Sequence, residues 1–156
     1  MSATDSTSMI EDAMRAALAL SRQAIQAGEF PYGAVVIDSS GAIVGRAHDR
    51  VETDDDLTSH AEIMAVKDAV RNHGRSLAGC TLVSGVEPCA MCFSAAWTAG
   101  VEHLVFGLSM SEMLELRPDA LDEISIDSTA LSALTTRRLS VASGVLAEEC
   151  RALWAR

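Results

Sequence analysis

Two short stretches of the chain carry residue types whose spacing can do chemistry: Ser59-His60-Ala61-Glu62 and Glu87-Pro88-Cys89-Ala90-Met91-Cys92. Each falls where a helix is predicted to open. Cys89 and Cys92 are three positions apart, about one helical turn, so both sulfurs project to the same side and can grip one ion. The partial positive charge of a helix N-terminus favours the thiolate, the form of cysteine that binds a metal. His60 adds a neutral nitrogen donor. Two sulfurs and an imidazole suit zinc, and three protein donors leave the fourth tetrahedral position open, as in catalytic zinc sites. A closed structural knuckle needs a fourth ligand, and the sequence holds no second Cys-x-x-Cys. Zinc brings the pKa of water close to neutrality and so supplies a hydroxide able to attack an electron-poor ring carbon bearing an amino group. Such an attack needs proton traffic, and Glu62, two residues beyond His60, is placed to carry it. Ser59-x-x-Glu62 also matches a capping box, a purely structural use of the same glutamate. The neighbouring His60 and the matching second motif favour the proton shuttle.

The elements that must position these residues follow from pattern. Ile10, Met14, Leu18 and Ile25 recur at helical spacing ahead of Gly28, which predicts a helix over 9–27. Residues 34–38 and 42–48 are β-rich runs around a Ser-Ser-Gly turn, a predicted hairpin. Residues 49–58, with Asp54-Asp55-Asp56, lack periodicity and are expected to be a solvated loop. A helix is predicted from Ser59 to the 72–74 region, a strand over 81–84, a helix over 89–99 with Pro88 at its start, and a strand over 101–107. Alternating strands and helices indicate a layered α/β domain with parallel pairing. Further on, the pattern predicts a short helix over 110–116, an extended piece at 124–126, a last strand over 139–142 and a terminal helix marked by Leu146, Cys150 and Leu153.

Length and composition set the frame. The 156 residues form one expected domain spanning 1–156, with neither a repeat nor a linker, and its core draws on aliphatic side chains because aromatics are only 4%. A formal charge of -10 repels polyphosphate and anionic lipid, so a small or uncharged partner is favoured over nucleic acid. The polar stretch Met1 to Met9 is unlike a secretory signal, and no run approaches a membrane span, so a cytoplasmic location without membrane contact is expected. Among four cysteines, Cys80 and Cys150 read as buried apolar residues, while His48, His73 and His103 read as structural or surface histidines.

The His60-Ala61-Glu62 and Pro88-Cys89-Ala90-Met91-Cys92 motifs resemble the signature of the cytidine deaminase superfamily. Phe30 to Val36, Gly45 to His48, His60 to Ala65 and Leu82 to Cys92 are similar to the branch of guanine deaminase, yeast-type cytosine deaminase and the tRNA adenosine deaminases. The resemblance, convincing over about 30–107, implies a three-layer α/β/α fold around a central five-stranded mixed sheet. It also implies one Zn2+ per subunit on His60, Cys89 and Cys92, Glu62 as catalytic proton shuttle, and a homodimer. Asp49, Phe30, Ala61 and Trp154 are the candidate substrate-binding residues. Phe30 is expected to stack on a base or to pack in the core, and Trp154 to pack on the core or to close a neighbouring active site.

Two departures bear on the substrate. Asp49 stands where this branch commonly has an asparagine that binds the base, and an ionised aspartate only accepts hydrogen bonds, so it suits a ring edge presenting N–H donors. After Gly107 the chain has Leu108 to Glu112, in place of the Ala-Arg-Asp stretch typical of the tRNA enzymes, although Gly144 to Cys150 looks like the start of their terminal helix. The expectation is a zinc-dependent hydrolytic deaminase of a free guanine- or cytosine-type base, an aminated heterocycle. The alternatives are tRNA adenosine deamination and a non-catalytic zinc-binding interaction module.

Overall fold

A computed structural model describes residues 3–119 and 123–155. The chain runs α1 (Ala3–Gln26), β1 (Gly33–Ile37), β2 (Ile43–His48), α2 (Val51–Asp54), α3 (Ala61–His73), β3 (Thr81–Val86), α4 (Ala90–Ala99), β4 (His103–Leu108), α5 (Met110–Leu116), α6 (Ser128–Leu134), β5 (Ser140–Ala142) and α7 (Ala147–Ala152). The strands form one sheet in the order β2-β1-β3-β4-β5. β1 pairs antiparallel with both β2 and β3, whereas β3, β4 and β5 are parallel, so the sheet is mixed.

Successive strand side chains point to opposite faces, and here both faces are covered. Ala34, Val36, Leu82 and Leu104 face a core shared with α3 and α4 through Ala61, Ala65, Ala69, Phe93 and Ala96. Val35, Ile37, Val83 and Val105 face a second core built by Met14 and Leu18 of α1, Met110 and Met113 of α5 and Cys150 of α7. The result is the three-layer α/β/α arrangement, with α3 and α4 together on one face.

Four elements differ from expectation. α1 starts at Ala3, because residues 3–8, though polar and without periodicity, continue the helix outward. The 49–58 segment contains the single turn α2, and Asp54 and Asp56 tie it down: Asp54 pairs with Arg50 at 2.6 Å, and Asp56 accepts from the Thr58 amide at 2.8 Å. Residues 124–126 are not a strand. α6 went unforeseen; Asp127 caps it by accepting from the Ala130 amide at 2.6 Å.

Two contacts tie this frame to the motif residues. Gly45 of β2 lies against α3 so closely that a Cβ would meet the Ala69 backbone nitrogen at 2.6 Å. Glu87, 4% exposed at the end of β3, accepts from the Met110 amide at 2.9 Å and from the Ser128 amide at 2.6 Å, joining the starts of α5 and α6 to the loop before Cys89. Gly45→Ala is therefore expected to cost about 1–3 kcal/mol, read as a melting point several degrees lower. Gly85→Ala, whose Cβ would meet Leu18 Cδ2 at an ordinary 3.5 Å, is the milder control. Glu87→Ala strands two buried amide donors at about 1–3 kcal/mol each. Denaturant unfolding is expected to show the loss, and hydrogen exchange to show it concentrated at the starts of α5 and α6.

Candidate metal centre and active site

The site is built at two helix starts. His60 is the residue before α3 and Cys89 the residue before α4, both in extended conformation and neither making a side-chain cap. That position ordinarily favours a serine, threonine, aspartate or asparagine whose oxygen caps the helix. Here the caps are forgone and the side chains turn towards each other. His60 Nδ1 lies 3.5 Å from Cys92 Sγ and 3.7 Å from Cys89 Sγ, and the ligating atoms of the three residues all fall within 4.8 Å of one another. The capping box that the Ser59-x-x-Glu62 pattern offered as the alternative use of Glu62 does not form, since the Ser59 hydroxyl instead bonds the Asp54 carboxylate at 3.2 Å. Glu62 is thus not engaged by Ser59.

Glu62 is buried in the first turn of α3, and the Cys92 thiol reaches its Oε2 at 3.5 Å. Burial pushes its carboxyl up to about 7. The two thiols are driven apart by the proton between them: the bond with Cys92 brings Cys89 down to about 4, while Cys92 itself is held far above an ordinary thiol. The bond to Cys89 lifts His60 to about 9. Two sulfurs and one imidazole nitrogen are the soft, compact donor set that zinc favours, whereas calcium and magnesium take oxygen ligands. A dication among them favours both thiolates and the neutral imidazole.

These groups open onto a cavity of about 300 Å³ lined by Phe30, Asp49, His60, Glu62 and Cys89, which brings five of the eight expected site residues to one surface. Cys92 is buried behind them, and Ala61 is buried where α3 packs on the sheet. Trp154 stands outside the lining, edge-on to Tyr32 with ring centroids 5.2 Å apart, so it backs a wall residue of its own chain. Phe30 is 43% exposed, and one face of its ring is covered by the Arg117 guanidinium at 4.0 Å. Asp49 is 4% exposed, and burial pushes its carboxyl up to about 6. Its backbone amide donates to the Tyr32 carbonyl and the Arg50 amide to the Ser59 carbonyl, so the loop from Asp49 to His60 is clasped at its base.

Other lining residues were not singled out from the sequence. Glu29 accepts from the Glu52 and Thr53 amides at 3.0 and 2.7 Å and so holds α2 at the cavity rim. Tyr32, Arg117 and Glu123 also line the wall, and burial raises the Tyr32 hydroxyl and the Glu123 carboxyl. No local motif marks them, because their partners lie far off in sequence. His48 bonds the Asp49 carbonyl at 2.7 Å and His103 the Ser140 hydroxyl at 2.6 Å, while Cys80 and Cys150 are buried. Among the described residues, no helix is long and apolar enough to cross a membrane.

Known proteins resemble this chain in sequence and fold. Residues 7–108 match the family described as the cytidine and deoxycytidylate deaminase zinc-binding region. A tRNA(Ile)-lysidine synthase of Deinococcus deserti is 44% identical over 102 residues, 65% of this chain, but the chain spans only 19% of that protein's length. A tRNA-specific adenosine deaminase of Haemophilus influenzae is 36% identical over 143 residues, covering 90% of this chain and 78% of that protein. Among solved structures, guanine deaminase from Nitrosomonas europaea superposes with a TM-score of 0.80 at 29% identity, covering 92% of this chain and 81% of that one. With the sheet order, the paired helix starts and the His/Cys/Cys cluster in agreement with that match, the chain belongs to the cytidine and deoxycytidylate deaminase zinc-binding family.

Proposed function

We propose that this chain is a hydrolytic deaminase that removes an exocyclic amino group from a free nucleobase of guanine or cytosine type and releases ammonia. The observation that carries the reading is the convergence of His60, Cys89 and Cys92 beside a buried Glu62, on a cavity of about 300 Å³. That volume lies at the small end of ligand pockets and suits a single heterocycle. His60, Cys89 and Cys92 would hold one zinc ion per subunit, which would supply Lewis acidity and acidify water at the site. Glu62 moves the protons. Burial places its carboxyl at about 7, near the working pH, so it can take a proton and give one back within a turnover. Phe30, fixed on one face by Arg117, offers its remaining face to the ring, and Asp49 accepts from a ring N–H. Ala61 shapes the backbone between His60 and Glu62, and Trp154 supports the ring contact through Tyr32. The working form is a homodimer, as the family resemblance implies, and it works in the cytoplasm.

Similarity to a guanine deaminase supports a free base, as does the net charge of -10, which disfavours a polyanion. Deamination of adenosine in tRNA is the second reading, favoured by similarity to the H. influenzae enzyme along 90% of this chain. Ammonia release is to be measured across guanine, cytosine, isocytosine, adenine, their nucleosides and a tRNA anticodon stem. Release from at least one free base is expected, and release from the stem alone would replace this reading with the second. Glu62→Gln is expected to lower kcat by about 10²–10⁴-fold while zinc content is kept; full activity in that variant would end the proton-shuttle assignment. Cys89→Ala is expected to lose both zinc, by elemental analysis, and activity. Zinc retained with no ammonia from any substrate would instead identify a non-catalytic zinc module.

A further inference from the structure

The two cysteines of the metal centre differ in access. Cys80, Cys92 and Cys150 are buried, whereas Cys89 is half-buried and lines the cavity. Cys92, at 1% exposure, stands behind it with its thiol reaching Glu62 Oε2 at 3.5 Å. The donor atoms of His60, Cys89 and Cys92 lie within 4.8 Å of one another, so the outer sulfur has an inner sulfur for a neighbour. A disulfide needs its sulfurs at about 2.05 Å, and Cys-x-x-Cys pairs at helix starts are the arrangement in which thiol oxidoreductases make that closure. Here the outer residue has the freedom to turn inward, because Cys89 precedes α4 in extended backbone, outside the turns that restrict a helical side chain.

The other two cysteines are removed from this exchange. Cys80 belongs to the core shared with α3 and α4, and Cys150 to the core on the opposite face of the sheet, where its sulfur lies 3.9 Å from Met14 Sδ. An oxidant small enough to enter the cavity therefore meets Cys89, and Cys92 is the sulfur beside it. The same two sulfurs are two of the three metal donors. A sulfur bonded to another sulfur or to oxygen no longer serves as a thiolate ligand, so metal binding and oxidation draw on one pair of atoms.

We infer that Cys89 is an oxidation site: a hydroperoxide entering the cavity is reduced at Cys89, and Cys92 resolves the product to a Cys89–Cys92 disulfide that reversibly excludes zinc. The inference rests on the three donors holding zinc and is independent of the substrate the enzyme acts on. In the first step the Cys89 sulfur attacks the outer oxygen of the hydroperoxide. The O–O bond breaks, the inner oxygen leaves as an alcohol with the Cys89 thiol proton, and Cys89 becomes a sulfenic acid. The Cys92 sulfur then attacks that of Cys89. The S–O bond breaks, and the oxygen leaves as water with the Cys92 proton. The two cysteines give up two electrons, which reduce the hydroperoxide to alcohol and water, and reduction of the disulfide returns both donors to the metal.

The test treats the zinc-loaded protein with hydrogen peroxide and reads zinc release with a chromogenic chelator, free thiols after denaturation, and the bond formed by mass spectrometry of chymotryptic fragments. Thiols are expected to fall from four to two in step with zinc release, one disulfide per zinc, with the bond between Cys89 and Cys92. A phosphine reductant is expected to restore the thiols and zinc uptake. In zinc buffers, thiol loss is expected to slow about tenfold for each tenfold rise of free zinc above its Kd. Cys92→Ser is expected to stop at the Cys89 sulfenic acid, trapped by dimedone, and Cys89→Ser to leave Cys92 reduced, while Cys80→Ala oxidises as the parent does; melting curves check that each variant is folded. Zinc released with all thiols intact, a bond to Cys80 or Cys150, Cys89 oxidised without a bond to Cys92, thiol loss indifferent to free zinc, or no thiol loss would each overturn the inference. Elemental analysis before oxidation keeps the failures apart. A protein that takes up no zinc would remove the metal assignment and this inference with it, whereas any of those results on zinc-loaded protein would remove this inference alone. Ammonia is not read, so the deaminase reading stands or falls separately.

Discussion

Everything at this site depends on two helices meeting start to start. α3 and α4 lie on the same face of the sheet and share one core, which brings the residue before each helix, His60 and Cys89, into contact. Both helices give up a side-chain cap at the position where one is ordinarily worth about 1 kcal/mol. The loss is tolerable because both are held by packing: Ala61, Ala65, Ala69 and Ala96 are fully buried and let helix and sheet approach closely. Gly45 carries the same closeness to its limit, since β2 has no room there for any side chain. The small residues of the core therefore bear on the site, because they set how closely the two helix starts approach.

The second constraint is electrostatic. A histidine, two cysteines and a buried glutamate packed together without a cation share protons unevenly, with Cys89 low, Cys92 high and His60 and Glu62 both raised. Uneven sharing of this kind is typical of functional sites, where burial and neighbouring charge move titrating groups away from their ordinary values. A dication resolves it by taking the place of the shared protons. Glu62 stays a buried carboxyl beside the three donors, in reach of a group that must gain or lose a proton there.

Legibility in the sequence followed the range of the interactions. The metal donors and Glu62 stood out because their types and spacings are local, three residues apart or two, at helix starts marked by pattern. The sheet's strands and most helices were legible from periodicity for the same reason. Glu29 and Glu87 were not, since each acts by accepting backbone amides 23 to 41 residues away, and nothing beside either residue marks that use. α6 escaped because its seven residues, Ser128–Leu134, are too few to establish a helical period. Ser59-x-x-Glu62 shows the opposite failure. The capping pattern is present, but Asp54 claims the serine hydroxyl, so a local rule is overridden by the clasp that shapes the loop. Trp154 likewise cannot be assigned from its place near the chain's end, and its contact with Tyr32 puts it behind the pocket wall.

The central claim is that His60, Cys89 and Cys92, and no fourth side chain, hold one zinc ion. X-ray absorption at the zinc edge of the metal-loaded protein reads this directly. The account predicts two sulfur neighbours at about 2.3 Å, one imidazole nitrogen at about 2.0–2.1 Å and one further light atom that is not from the protein. Four protein donors around the ion, or a shell without sulfur, would contradict it.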